Sequence, residues 1–391
     1  MRTQVGIVGA GPAGLLLAHL LHLAGIESVV LEAKSRAHVE ERIRAGLMEQ
    51  GTVDILTESG LAGRLHREGL AHEGLELRFD GTGHRIDLKA LTGKQVTIYG
   101  QQEVVKDLIA ARLAYGGALH FDVEDVALHG LETDRPRITY DEAGEARLLD
   151  FYIIAGCDGF LGICRPAIPA GVLTAYDRVY PFAWLGILAA APPASHELIY
   201  ARHERGFALA TMRSPKLSRL YVQCAPEESI DDWSDDRIWA ELHARLARQD
   251  GADQVNEGPI LQKGITAMRS YVVEPMRYGR LFLAGDAAHI VPPTGAKGMN
   301  LAIADIRVLA RALEVFCRDG GTALLDGYSA KALARVWKAQ RFSWWMTSML
   351  HRFDGGDAFE HKVQVAELDY VCRSRAGALT LAENYVGLPF D

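Results

Sequence analysis

The most constraining feature of the chain is the run Gly9-Ala10-Gly11-Pro12-Ala13-Gly14. It follows a buried-strand run, Val5 to Val8, and opens a helical stretch, Ala13 to Ala24, which Gly25 stops before Val29-Val30-Leu31 resumes the sheet. Glycines at this spacing, between a strand and a helix, commit the N-terminus to a β-α-β unit. Gly9 permits the tight turn, Gly11 lets the backbone approach a pyrophosphate, and Gly14 lets the helix lie close against the strand. Glu32 closes the second strand, where a carboxylate accepts hydrogen bonds from ribose hydroxyls. These residues specify a cradle for an ADP group without choosing among the cofactors that carry one.

Further along, helical patterns around 46–59 and 101–114 alternate with strand-like runs at Glu76 to Phe79, Val96 to Tyr99 and Phe151 to Ala155, the last leading to Cys157-Asp158-Gly159. From about residue 175 the texture changes to short strands at Trp184 to Ala189, Glu197 to Tyr200, Phe207 to Met212 and Arg219 to Gln223. Arg280 to Ala284 returns to the buried-sheet pattern, the loop Val291 to Lys297 feeds a long helix from Gly298, and the remainder to Glu383 reads as helical. The expected fold is mixed α/β. A Rossmann-like nucleotide domain spans 1–175, with part of its sheet completed by 268–300; a β-rich domain spans 176–267, and a helical region 301–391.

A formal charge of −8 leaves no basic field for nucleic acid or an anionic membrane, so a small-molecule partner is expected. Five widely spaced cysteines with no C-x-x-C pair argue against a disulfide framework or zinc site and fit a reducing cytoplasm. No signal peptide or membrane span is expected, and no metal. The apolar, aromatic C-terminal helices favour a homodimer.

A second motif selects among cofactors. Leu281-Phe282-Leu283-Ala284-Gly285-Asp286-Ala287-Ala288-His289 runs a buried strand into Gly-Asp, which places Asp286 to bind a second sugar chain, the ribityl arm of a flavin. On its own Asp286 also reads as a helix-capping aspartate.

Together with Gly9 to Gly14 and Cys157-Asp158-Gly159, this motif resembles the single-component, class A flavoprotein aromatic hydroxylases. The likeness extends through Pro292-Pro293-Thr294-Gly295-Ala296-Lys297-Gly298-Met299-Asn300-Leu301, Phe342-Ser343-Trp344-Trp345-Met346 and Glu383-Asn384-Tyr385-Val386-Gly387-Leu388-Pro389, over essentially the whole chain. The resemblance implies bound FAD, NAD(P)H as reductant and O2 as co-substrate. It further implies hydroxylation of a phenolic acid, 4-hydroxybenzoate, to 3,4-dihydroxybenzoate by a flavin C4a-hydroperoxide.

The resemblance also assigns residues. Tyr200 is matched to the group that bonds the substrate hydroxyl, Tyr385 to its neighbour in a proton relay, and His72 to the relay's outer end, where an ordinary pKa of about 6.5 suits exchange with solvent. Without it, these read as packed tyrosines and a surface histidine. Arg213 is matched to the guanidinium that grips the substrate carboxylate in a planar fork, with Thr211 and Tyr221 as hydroxyl donors to it; familiar relatives carry serine where Thr211 stands. The Pro293 carbonyl is implied to face the substrate hydroxyl. FAD contacts are implied for Gly9, Gly11, Gly14, Glu32, Arg42, Arg44, Gln101, Asp158, Arg219, Asp286, Lys297, Gly298 and Asn300.

For the nicotinamide no second glycine motif is present. Lys34, Arg36 and His38 either meet the 2′-phosphate of NADPH or form a solvated basic helix face, so the choice between NADPH and NADH stays open. Arg269 is a candidate pyrophosphate contact, and Leu161 replaces a histidine of familiar relatives. Rival readings are a hydroxylase of 3-hydroxybenzoate or salicylate, a non-catalytic FAD redox sensor and a plain nicotinamide dehydrogenase.

Overall fold

The computed structural model describes residues 2–42, 46–252, 254–353 and 358–390. Val5, Ile7, Val30, Leu31, Ile153, Ile154, Leu281 and Leu283 are all essentially inaccessible to solvent, which is the signature of parallel strands covered on both faces. They lie in Arg2–Val8, Ser28–Leu31, Glu145–Gly156 and Leu281–Leu283, which with Ala118–His120 form the parallel core of the first sheet. Pro12–Leu23 and the long helix Gly298–Asp319 pack on this sheet through Leu15, Leu16, Ile303, Ile306 and Leu309.

The second sheet has the order His289–Ile290, Ile260–Glu274, Thr174–Ala189, Leu217–Cys224, Ala208–Ser214, Leu198–Ala201, Gly74–Phe79, Thr82–Asp87. It corrects the expected segmentation. Gly74–Asp87, assigned from sequence to the first domain, pairs into this sheet, Gly74–Phe79 lying parallel to Leu198–Ala201. At the other end, His289–Ile290 pairs with Tyr271 and Val272, so the Gly-Asp motif is stitched to the second sheet within a few residues of Asp286. The pairing partners are too far apart in the chain for sequence periodicity to reveal. Two local readings also change. Leu47–Met48 is a strand against Val96–Ile98, with helix only from Gln50 to Glu58. The Trp184 to Ala189 run is the end of the 16-residue strand Thr174–Ala189.

One face of the second sheet packs Ile199, Ala208, Ala210, Leu220 and Val222 against the helix Asp235–Leu246. Its opposite face carries the site described below and meets the C-terminal helices Tyr328–Leu350, Ala358–Arg373 and Arg375–Tyr385. His351 anchors this junction, sandwiched between Phe182 at 4.6 Å and Phe207 at 4.4 Å. Its Nδ1–H donates to the Thr347 carbonyl at 3.0 Å, and its Nε2 accepts from the Trp184 indole N–H at 2.7 Å. That arrangement requires a neutral ring.

Burial lowers the His351 pKa to about 3 and that of His72 to about 4. A proton taken up only on unfolding makes stability complete above pH 6.5 and erodes it as pH falls toward the folded pKa, by about 1.4 kcal/mol per pH unit for each histidine. Urea unfolding at pH 5.5 is therefore expected to show stability about 3 kcal/mol below that at pH 7.5, with a shallower slope in His351→Gln. An unchanged slope in that variant rejects His351 as a contributor.

Candidate active site

The cofactor motifs converge at the carboxyl ends of the parallel strands. Gly9 N–H donates to the Leu31 carbonyl at 2.7 Å, Cys157 N–H to Val8 at 2.8 Å, and Ala284 N–H to Gly156 at 3.0 Å, so these turns lie side by side. Gly9 has φ +104°, and a Cβ there would meet the Cys157 carbonyl oxygen at 2.4 Å. A Cβ on Gly14 would lie 2.0 Å from the Gly9 carbonyl oxygen, whereas one on Gly11 meets nothing within 4 Å. Gly11 thus faces open space at the N-terminus of Pro12–Leu23, which has no side-chain cap and offers its amides to an anion. Glu32 is held by amides: its Oε2 accepts from Ala10 N–H at 2.8 Å and its Oε1 from Lys34 N–H at 2.9 Å. Each oxygen retains a lone pair for a diol.

Asp158 accepts from Cys164 N–H through Oδ2 at 2.8 Å, while its buried Oδ1 has no hydrogen-bond partner. Burial raises its pKa against the pull of that amide. Asp286 stands exposed on the neighbouring turn, where Gly285 has φ +62°. The turn rests on a pair that the motifs did not reveal: Asp305 Oδ2 accepts from Gly285 N–H at 2.9 Å and lies 2.6 Å from His289 Nε2. Both side chains are buried; burial pulls the His289 pKa down, but Asp305 outweighs it and the net shift is upward. An open glycine cradle, an uncapped helix N-terminus and an orphaned carboxylate oxygen together fit a dinucleotide with a sugar chain.

The second sheet presents a row of side chains to this region. Register places Tyr200 opposite Leu209, Leu209 opposite Tyr221 and Tyr221 opposite Gly186, and it pairs Thr211 with Arg219. Directly paired residues share a face, so Tyr200, Tyr221, Thr211 and Arg219 look the same way. Gly186 is the gap in the row: a Cβ there would meet Arg219 Nη2 at 2.9 Å and the Tyr221 ring at 3.1 Å. Arg219 Nε donates to the Tyr221 hydroxyl at 3.2 Å, and its buried Nη1 has no hydrogen-bond partner. Arg213 sits where the register slips between Met212 and Ser214, a bulge that re-aims its side chain toward Gly46. Burial lowers the Arg213 pKa, as does the Arg219 charge, while Tyr221 opposes. Two guanidiniums near each other in a half-buried pocket favour an anion between them.

At the other end of the row the Tyr200 and Tyr385 hydroxyls lie 2.7 Å apart, both buried. Burial drives both phenol pKa values up, which keeps both hydroxyls neutral. His72 departs from the expected surface position. It is buried, both ring nitrogens lack hydrogen-bond partners, and burial rather than solvent sets its pKa near 4 despite the opposing Glu197 charge.

The Pro293 carbonyl accepts from Ala296 N–H at 2.9 Å, closing a turn in which Ala296 has φ +53°. Lys297 and Asn300, expected at the cofactor, turn their side chains inward. Lys297 Nζ lies 2.6 Å from Glu49 Oε1 and donates to the Asn384 and Tyr385 carbonyls. The Asn300 amide accepts from Glu49 N–H and the Thr52 hydroxyl and donates to the Leu47 and Ala296 carbonyls, which saturates it. What faces outward at this helix start is backbone: Lys297 provides no side-chain cap, and a Cβ on Gly298 meets nothing within 4 Å. Glu49 is the residue sequence reasoning missed. It also lies 3.4 Å from Arg335 Nη2 and leaves no room for a Cβ on Gly387, which accounts for the glycine there.

Gln101 begins the helix Gln101–Ala114, Arg42 is exposed, and Arg44 lies outside the described residues. Lys34, Arg36 and His38 are exposed, Arg36 pairing with Glu40 at 2.7 Å. Arg269 is bonded to Asp177 and stacks 4.6 Å from the Phe160 ring, next to exposed Leu161.

A family profile for an FAD binding domain matches residues 2–343. The chain is 50% identical over 392 aligned residues to p-hydroxybenzoate hydroxylase of Acinetobacter baylyi, covering all of this chain and 96% of that protein. It is 27% identical to rifampicin monooxygenase of Streptomyces venezuelae over 86% of this chain and 68% of that protein. Among solved structures, p-nitrophenol 4-monooxygenase of Pseudomonas putida superimposes with a TM-score of 0.85 at 20% identity, each chain covered completely, which shows the shared fold.

Proposed function

From the premise that the chain belongs to the FAD-binding family of flavoprotein hydroxylases, acting on an aromatic ring with FAD and NAD(P)H, we propose that it converts 4-hydroxybenzoate to 3,4-dihydroxybenzoate. The observation that carries this reading is the polarity of the row across the second sheet. The hydroxyl-bonded pair Tyr200 and Tyr385 stands at one end, and Tyr221 with Arg219 stands two strands away, beside Arg213 at its bulge. Two strand spacings are roughly 10 Å at the backbone, enough for one ring with a phenol at one end and a carboxylate at the other.

The chemistry supplied by bound FAD, once reduced by NAD(P)H, is the activation of O2. Gly9, Gly11, Glu32, Asp158 and Asp286, with the amides at the start of Gly298–Asp319, would hold it. Arg213, Thr211 and Tyr221 would orient the substrate carboxylate. Tyr200 accepts the substrate's phenolic proton as it passes its own to Tyr385, leaving a phenolate whose ortho carbon is richer in electrons. The buried aromatic lining of Tyr200, Phe207 and Tyr385 excludes water from that step. The neutral, enclosed His72 takes up the relayed proton only as the relay opens to solvent. A homodimer is supported by the face of Ala358–Arg373 on which Phe359, Val363 and Tyr370 stay exposed at helical spacing.

The test follows NADPH and NADH oxidation in air, with and without 4-hydroxybenzoate, and identifies ring products. Absence of 3,4-dihydroxybenzoate, with 3-hydroxybenzoate or salicylate accepted instead, replaces this substrate assignment. Tyr200→Phe is expected to bind substrate nearly as well but to release hydrogen peroxide, its hydroxylated product per coenzyme falling about tenfold or more, since positioned proton transfer contributes about 10²–10⁴-fold. An unchanged yield removes Tyr200 from phenolate activation.

A further inference from the structure

The face of the second sheet that carries the substrate row holds a further aromatic side chain whose orientation is set by a hydrogen bond. Trp184, two residues before Gly186 and so on the same face, stands 5.0 Å from the Tyr221 ring. It stacks on Phe207 at 5.0 Å and 16°, and Phe207 lies 6.2 Å from Tyr200. Trp184 and Phe207 thus form the wall between the two ends of the row. A buried indole N–H needs an acceptor, and His351 Nε2 provides one at 2.7 Å. We propose that His351 is a positioning residue for the hydroxylation: it sets the angle of the Trp184 indole, and through it the place of the Tyr221 hydroxyl at the substrate carboxylate. This role rests on the substrate proposed above.

The bond is one link in a buried chain of fixed direction. An indole nitrogen only donates and a carbonyl only accepts, so His351, held between the Trp184 N–H and the Thr347 carbonyl at 3.0 Å, carries its proton on Nδ1. Thr347 Oγ1 donates to the Ser343 carbonyl at 2.7 Å, and at 2.9 Å it accepts from the Thr294 hydroxyl. Ser343, Thr347 and His351 follow at four-residue spacing along one face of Tyr328–Leu350 and its cap. Thr294 belongs to the turn Pro293–Gly295, just ahead of the helix Gly298–Asp319. Thr294, Ser343, Thr347 and His351 are all fully buried. The chain therefore braces the substrate wall against the turn on the cofactor side.

An apolar side chain could fill the space between Phe182 and Phe207, but it would strand the indole N–H and leave the ring without a preferred angle. What the histidine adds is direction. A fully satisfied polar chain in apolar surroundings favours one arrangement of its members over rotated alternatives.

The test is a double-mutant cycle on the FAD-loaded protein. It reads 4-hydroxybenzoate binding from the perturbation of flavin absorbance, and 3,4-dihydroxybenzoate formed per NADPH or NADH consumed. His351→Leu is expected to weaken binding about tenfold and to lower the product yield about threefold or more, the difference appearing as hydrogen peroxide. His351→Gln, which keeps an acceptor for the indole and a donor for Thr347, should bind within about threefold of the parent. Trp184→Phe should show losses like those of His351→Leu, and the double variant should lose less than about twofold beyond Trp184→Phe alone. If His351→Leu does not fold, Trp184→Phe decides, since it deletes the donor. Parent-like binding and yield in whichever of these two decides, or losses that add in full in the double variant, overturn the inference and leave His351 as a packing group. A parent protein that makes no 3,4-dihydroxybenzoate refutes the proposed substrate instead, and the same cycle, run with the acid it does hydroxylate, then judges His351.

Discussion

Gly14→Ala is expected to yield a protein that no longer retains FAD, with affinity reduced at least about a hundredfold, or about 3 kcal/mol. The added Cβ would stand 2.0 Å from the Gly9 carbonyl oxygen and 3.1 Å from Ile7 Cγ2. The first of these is backbone, so the conflict cannot be relieved by a rotamer change, and the helix must withdraw from the strand. Withdrawal moves the uncapped amides at the helix start away from the pyrophosphate position while the turn at Gly9, pinned by its bond to Leu31, stays. Gly11→Ala separates the two effects. Its Cβ meets no protein atom within 4 Å, so it should fold with parent stability and lose affinity only by crowding the ligand. Fluorescence titration of the apoprotein with FAD, beside thermal unfolding without FAD, measures both. A Gly14→Ala protein binding FAD within about threefold of the parent, a change under 1 kcal/mol, contradicts the close-packing role.

These glycines were legible because their requirement is local: a positive φ or a missing Cβ can only be met by one residue type. Thr211, Arg213, Arg219 and Tyr221 were reached through the family resemblance, whose motifs are also local in the chain. What lay outside the sequence was register and distance along the chain. The slip that sets Arg213 at a bulge depends on the neighbouring strand. Lys297 and Asn300 were expected at the cofactor through the family resemblance, yet Glu49 and Thr52, about 250 positions earlier in the chain, claim their side chains. His72 read as a surface group because histidine commonly is one; only the packing around Glu197 and His196 shows it buried and neutral. The entry of Gly74–Asp87 into the second sheet is of the same kind. Local stereochemistry was readable, and contacts between distant segments were not.

Those distant contacts give Arg213 its expected effect. Arg213→Ala is expected to raise the dissociation constant for 4-hydroxybenzoate roughly a hundredfold to a thousandfold, about 3 to 4 kcal/mol, because it strips a charge-assisted fork from a carboxylate already removed from water. Arg219 does not duplicate the fork of Arg213, since its Nε is committed to the Tyr221 hydroxyl and its guanidinium fills the space left by the missing Cβ of Gly186. Arg213→Lys should recover part of the loss, restoring the charge without the planar pair of donors. The discriminating ligand is phenol, which keeps the hydroxyl end and lacks the carboxylate. Parent and Arg213→Ala proteins should bind phenol within about threefold of each other, a difference below 1 kcal/mol, as read from the perturbation of flavin absorbance. Equal weakening for phenol and 4-hydroxybenzoate would mean that Arg213 shapes the pocket as a packing group at the bulge. Loss confined to the carboxylate-bearing ligand assigns it to that end of the ring, and with it fixes which way the substrate lies between Arg213 and Tyr200.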